Sequence, residues 1–292
     1  MLNPLHLPLI AYIPSPPFNG FSIGPFFFHV YGICYVLAAA QAIVITRRRW
    51  AKRGGDPDLV YGVAWWGFPA GLVGGRIYFD ITTPSQMPHH WWGPFAIWDG
   101  GMGIWGGVAL GAAVGVWYLR RKIGPVDASR FVNAVTPTLL IGQAIGRIGN
   151  YFNQELYGKP SKLPWALEIS PAHRVPGYAH YATFQPSFLY EMIFDLFWAG
   201  VLIWLDNRGK VRPPALFPLY VAGYSGYRIF EETIRIDYSQ YILGMRLNFW
   251  VAIIGTIAGL IWFARLQFRR QPGGPAAPPD RPTEAYSQSA SV

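Results

Sequence analysis

Between residues 146 and 158 the chain reads GRIGNYFNQELYG, with one arginine, two asparagines and one glutamate in thirteen residues. The run stands where an apolar segment ends and a polar loop begins. A cationic side chain at such a depth is costly unless it has a partner or a ligand. Arg147 is therefore a candidate for holding an anionic head group, with Asn150, Asn153 and Glu155 as polar neighbours. The competing reading is an interfacial arginine that snorkels to water beside a polar turn closing a helix. Spacing alone leaves both open. Further along, Arg228 and Glu232 are spaced i,i+4, as are Glu231 and Arg235, and one helix would bring all four toward one face. Arg76 with Asp80 repeats the spacing. These groups are either interfacial ion pairs or a pocket of guanidinium forks, which bind phosphate oxygens two at a time. Other chemistries find little support. Six His are scattered without ligand spacing, no CxxC or HExxH occurs, and the single Cys34 lies in an apolar run. A metal site is not expected.

The elements that must position these residues are membrane spans. The chain is 52% hydrophobic and 17% aromatic with only 13% charged residues, where a soluble domain carries about 25% charged. Hydropathy predicts seven spans, near residues 23–45, 60–81, 99–119, 131–150, 186–205, 214–233 and 247–265. Each is long enough for about 30 Å of hydrocarbon. Of the 24 Lys and Arg, sixteen fall on one side of this arrangement, among them Arg47, Arg48, Arg49, Arg120, Arg121, Arg208 and Arg265. The other eight are Arg76, Arg147, Lys159, Lys162, Arg174, Arg228, Arg235 and Arg246. The positive-inside rule puts the sixteen in the cytoplasm. The N-terminus is then outside and the C-terminus inside. The net charge of +9 is thus a topology signal, and nucleic-acid binding is a poor reading of it.

The expected organisation is an outer-face arm over residues 1–22, a membrane domain over 23–265 and a disordered cytoplasmic tail over 266–292. The tail is rich in Pro, Ala, Ser and Gly and has almost nothing to bury. The long loop 151–185, with four prolines, is expected to form a small outer-face head. Gly67, Gly71 and Gly75 on the second span and Gly103, Gly107, Gly111 and Gly115 on the third recur at every fourth residue. Close helix packing is one reading, and a smooth groove for an acyl chain is the other. Trp91, Trp92, Trp98, Trp105 and Trp165 read as an interfacial belt, and His89 and His90 as solvated.

The run at 146–158 resembles the signature of the prolipoprotein diacylglyceryl transferases, G-R-x-G-N-F-x-N-x-E-x-x-G, with Tyr151 where Phe is usual. HVYG at 29–32, GGR at 74–76, GGMGIWGG at 100–107, QPSFLYE at 185–191 and YRIFEE at 227–232 follow in the family's order, so the resemblance covers residues 22 to 265. It implies an all-α integral membrane enzyme of the bacterial plasma (inner) membrane. Such an enzyme moves the diacylglyceryl group of phosphatidylglycerol to the lipobox cysteine of a prolipoprotein, forming a thioether and releasing glycerol phosphate, the first step of lipoprotein maturation. No cofactor is implied, because the phospholipid is both donor and leaving group. The implied partners are phosphatidylglycerol, prolipoprotein signal peptides and the bilayer. Catalytic roles are implied for Arg147, Arg228, Glu232, Glu155 and Tyr31. Head-group contacts are implied for Arg147, Asn150, Asn153, Gly158 and Arg76, with Gly158 allowing a tight turn back into the head. The step needs a thiolate and charge stabilisation on a departing phosphate ester. Many members read HGG in the third-span motif, where this chain has Trp105-Gly106-Gly107. Indole is a donor only, so a histidine base is excluded at that position. Glu155 and Glu232 are the candidate acceptors, with His29 and Tyr31 behind them, unless the arginines alone activate the thiol. A transporter or flippase for an anionic lipid or solute is the alternative; it would carry internal repeats, and no convincing repeat is found.

Overall fold

The computed structural model describes residues 12–84, 87, 90–96 and 101–269. The beginning of the predicted arm, His89, Trp98, Gly100 and the tail from residue 270 lie outside the described residues. The elements run β1 (Gly20–Ile23), β2 (Phe26–His29), α1 (Val30–Ala51), α2 (Leu59–Thr82), a 3-10 turn (Gly93–Phe95), α3 (Ile104–Asn153), β3 (Leu167–Glu168), a 3-10 turn (Pro171–His173), β4 (Thr183–Phe184), α4 (Ser187–Asn207), α5 (Leu216–Ile234), β5 (Tyr241–Ile242), β6 (Met245–Arg246) and α6 (Leu247–Phe268). Helices dominate. Among them α1, α4 and α6 are long and apolar enough to cross a membrane. Val36, Phe197 and Ile254, one on each, are well over half exposed. Apolar exposure of that extent suits lipid rather than water.

Two boundaries differ from the hydropathy reading. The first helix starts at Val30, not at residue 23, because residues 20–29 form the antiparallel hairpin β1–β2 with Gly20 opposite His29. Gly24, at φ 58°, makes its turn. A run of Phe suits a strand as well as a helix, and hydropathy does not separate the two. The third and fourth predicted spans belong to one long helix, α3, broken at Gly124 (φ 75°, ψ 172°). Glycine accepts that conformation without a Cβ clash, and Pro125 suits the first position of the helix that follows.

The chain divides into two compact units. One comprises the described residues of 46–131 together with 268 and 269. Here α2 and the first part of α3 meet through their glycines. A Cβ at Gly74 would lie 2.4 Å from the Gly106 carbonyl oxygen, one at Gly71 would lie 3.4 Å from that of Gly107, and one at Gly67 3.5 Å from that of Gly111. The two small-residue faces are pressed together, as in other membrane helix pairs. This corrects the acyl-groove reading of these glycines, since each face fills the other.

The other unit comprises residues 12–45 and 132–267. Its inner core is Leu140 of α3 packed with Ala199 and Leu202 of α4 and with Val211, Ala215 and Leu216. Asn133 accepts the Leu216 backbone N–H at 3.2 Å, satisfying a donor that a helix start leaves open. The loop after α3 has a core of its own, made of Tyr157, Leu167, Ile169 and Phe184. β3 pairs with β4, and Ile13 lies parallel beside Leu167. The Tyr157 hydroxyl donates to the His173 carbonyl at 2.8 Å and accepts the Val175 N–H at 2.7 Å. This unit carries the site.

Candidate active site

Three helices of this unit converge on one carboxylate. Glu191, on the first turns of α4, is fully buried. Its Oε1 accepts the Tyr224 hydroxyl at 2.8 Å. Its Oε2 lies 3.2 Å from Arg147 Nε of α3 and 3.7 Å from Arg228 Nη1 of α5. Two guanidinium groups repel each other, and a shared buried carboxylate is what lets them stand together. Neither arginine is sealed in. Their side chains keep 20% and 16% exposure while Glu191 keeps none. An anion can therefore reach the arginines without reaching the carboxylate behind them.

A second layer fixes Arg228. Its Nη1 donates to Glu231 at 2.6 Å, and its Nη2 donates to Glu232 Oε1. Glu232 Oε2 accepts Arg246 Nε at 2.7 Å. Arg246 also donates to the Asp237 carbonyl at 2.6 Å and to its carboxylate at 3.0 Å. The i,i+4 spacing predicted a pair between Glu231 and Arg235. Instead Arg235 grips Asp237 with two bonds, at 2.8 and 2.9 Å. Arg235 is the residue after α5, with extended backbone (φ −69°, ψ 146°), so it has left the helical face that the spacing assumed. Asp237 lies outside the helices. Burial pushes its carboxyl up, and the Arg235 and Arg246 guanidinium groups outweigh that and hold it below the usual carboxylate range.

The third layer is the end of α3. Arg147 Nη1 donates to Asn150 Oδ1 at 2.9 Å. Asn150 and Asn153 both donate to Glu155 Oε1, at 2.8 and 3.1 Å. The chain leaves the helix through Gln154 (φ 53°) and Leu156 (φ 57°), two left-handed residues that are not glycine. Such strain persists only where the surroundings impose it. The Gln154 amide does so, donating to the Pro16 carbonyl at 3.1 Å and accepting the Ser170 N–H at 2.8 Å. The turn expected of Gly158 is therefore made two to four residues earlier. Gly158 serves a close approach instead. Its backbone pairs with Arg235, and a Cβ there would sit 3.0 Å from Gln185 Cβ and 3.1 Å from the Ile234 carbonyl oxygen.

The remaining sequence candidates separate. Tyr31 joins the group, with its ring laid over Gly149 so that a Cβ there would stand 2.1 Å from the Tyr31 ring. Its hydroxyl accepts from Tyr35 at 3.3 Å. His29 is exposed in β2, edge-on to Phe27. Trp105 is 65% exposed on the first turn of α3. Arg76 belongs to the other unit. There its Nε, Nη1 and Nη2 donate to the carbonyls of Pro94 (2.9 Å), Gly101 (3.2 Å) and Gly93 (2.5 Å). The pair with Asp80 that the spacing predicted forms at 3.2 Å. Sequence reasoning missed Glu191, Tyr224 and Arg246. The signal for Glu191 was present, since a glutamate opening an apolar span carries the same cost as Arg147.

Fold and site together define a class: a helical membrane protein that gathers two partly open arginines onto one buried glutamate. The comparisons narrow this. The family model described as prolipoprotein diacylglyceryl transferase matches residues 19–265. The phosphatidylglycerol--prolipoprotein diacylglyceryl transferase of Frankia alni is 42% identical over 87% of this chain and 67% of its own length. One of two so named in Streptomyces coelicolor is 41% identical over 90% and 83%, and that of Bifidobacterium adolescentis 38% over 88% and 81%. The chain belongs to the prolipoprotein diacylglyceryl transferase family.

Proposed function

We propose that this chain transfers the diacylglyceryl group of phosphatidylglycerol to the lipobox cysteine of a prolipoprotein. The observation that carries the reading is the pair Arg147 and Arg228, drawn from two helices onto one buried Glu191 and still open to an anion. The cysteine sulfur forms a bond to the glycerol carbon, the bond from that carbon to the phosphate oxygen breaks, and glycerol phosphate leaves. Charge grows on the departing phosphate ester. Preorganised guanidinium donors in a water-poor site stabilise such charge most effectively. Arg147 and Arg228 hold the phosphate, Asn150 and Asn153 orient Glu155 beside it, and Glu232 with Glu231 fixes Arg228. Tyr31 closes the side of the site at Gly149. Arg76 braces its own loop through the carbonyls of Gly93, Pro94 and Gly101.

With α3 counted on each side of Gly124, seven helical stretches supply the seven spans of the bacterial plasma-membrane enzyme. The basic ends of α1 and α6 lie in the cytoplasm, and the head at 151–185 and the site lie outside, where exported precursors present their lipobox. Family membership leaves the transporter reading without support. Purified protein mixed with phosphatidylglycerol and a lipobox peptide is the test. The expected product is a peptide heavier by one diacylglyceryl group in thioether linkage, with glycerol phosphate released in equal amount. Folded protein that yields no modified peptide would overturn the reading.

A further inference from the structure

Asp195 stands one turn beyond Glu191 on α4 and is fully buried. Neither of its carboxylate oxygens has a hydrogen-bond partner among the described residues. The groups that act on it electrostatically are Glu191 of its own helix, Arg147 of α3, and Glu231, Arg228, Tyr220 and Tyr227 of α5. Both arginines are already engaged by other carboxylates. Tyr220 directs its hydroxyl to Gln143 at 3.2 Å. Fully ionised, Glu191, Asp195, Glu231 and Glu232 would set four negative charges against the three positive charges of Arg147, Arg228 and Arg246. A lipid phosphate arriving at the arginines would add a fifth negative charge. A buried, unpaired carboxylate is the costliest member of such a set.

We propose that Asp195 holds a proton while the lipid phosphate rests on Arg147 and Arg228, so that binding of phosphatidylglycerol is coupled to protonation of this carboxyl. Asp195 is then a positioning residue, acting through the charge balance of the arginines without touching the lipid. The inference rests on the transferase reading above and adds to it a pH-linked control of lipid entry.

The test is lipid binding across pH. The phosphodiester of phosphatidylglycerol keeps a single negative charge from about pH 6 to about pH 9, so any change across this range comes from the protein. Full-length protein in a neutral detergent is titrated with phosphatidylglycerol over that range. The expected result is a loss of roughly tenfold or more in affinity at the alkaline end, the size of a nearby unit charge in a medium of intermediate dielectric. Asp195→Asn, close in shape and neutral, should flatten the profile to about threefold or less. Asp195→Ser gives a second neutral variant should the asparagine fail to fold. A wild-type affinity that does not vary with pH overturns the inference. So do neutral variants whose slope matches the wild type, and so does a slope abolished by Glu231→Gln in place of Asp195→Asn. Wild-type protein that binds no phosphatidylglycerol at any pH would instead count against the transferase reading itself.

Discussion

Glu191→Gln is the sharpest perturbation the site offers. The amide keeps the shape and its oxygen can still accept the Tyr224 hydroxyl, while its NH2, which only donates, takes the place of the charged oxygen that faces the two arginines. Its effects on the two arginines are unequal. Arg228 retains Glu231 and Glu232. Among the described residues Arg147 loses the one carboxylate within ion-pair distance and keeps its hydrogen bond to Asn150. Removing one partner of a buried pair costs about 3 to 5 kcal/mol, and the partial exposure of Arg147 argues for the lower end. Taken as the cost of keeping Arg147 in the place the reaction needs, about 3 kcal/mol at 1.36 kcal/mol per factor of ten is roughly a hundredfold. The expected outcome is a loss of about a hundredfold in kcat/KM for peptide modification, in protein that still folds and inserts. Glu191→Asp keeps the charge but withdraws it by one methylene from partners at 3.2 and 3.7 Å, and should fall in between. If Glu191 acts through Arg147, the double variant Glu191→Gln with Arg147→Ala should be no worse than Arg147→Ala alone. Folded Glu191→Gln within about threefold of wild type would refute the reasoning, because a group worth about 3 kcal/mol cannot be removed so cheaply. Additive losses in the double variant would refute it equally.

Three further outcomes are expected. Glu155→Gln should lose turnover while phosphatidylglycerol binding survives, whereas Glu232→Gln should weaken binding and lower the unfolding temperature; full turnover in both would leave thiol activation to the arginines alone. A cysteine placed at Lys162 in the head should react with a membrane-impermeant reagent on intact cells, and labelling only after lysis would invert the topology. Asp237→Asn should destabilise the protein by about 1 to 3 kcal/mol at neutral pH, the range for hydrogen bonds to charged groups. Because the folded carboxyl lies below its unfolded value of about 3.9, that stabilisation is complete above the unfolded value and is lost as pH falls through the folded one, so the gap between variant and wild type should close in acid unfolding measurements.

Much of the site was legible because its signals are local. The i,i+4 spacing gave Arg228–Glu232 in the site and Arg76–Asp80 in the other unit, and the signature run placed Arg147, Asn150, Asn153 and Glu155 together. Periodicity cannot give partners from other helices, so Glu191 and Tyr224 entered only with the structure. It also cannot say where a helix stops. Arg235 lies one residue past the end of α5, and that single step moved it from Glu231 to Asp237. The hairpin at 20–29 was hidden for a related reason: a string of apolar residues has the same mean hydropathy as strand or helix. The glycine repeats were legible as a pattern, but whether they face a helix or a lipid depends on the neighbouring element, and α2 supplies it.

The two glutamates that sequence reasoning offered as proton acceptors are not equivalent once their surroundings are known. Glu232 is buried, and its oxygens are taken by Arg228 on one side and Arg246 on the other. A proton taken up there would displace one of these arginines and strip the charge from the bond to the other. Glu155 is exposed, and both asparagines address the same oxygen, Oε1. Its Oε2 makes no hydrogen bond among the described residues. It is joined to Arg147 through Asn150, so its charge and its position are both tied to that arginine. A base must reach the proton it abstracts before its acidity matters. Of the two carboxylates, Glu155 is the exposed one and keeps an oxygen with no hydrogen bond among the described residues. Under the proposed transfer, that makes Glu155 the better candidate of the two for the thiol proton in a chain where Trp105 stands at the place of the family's histidine.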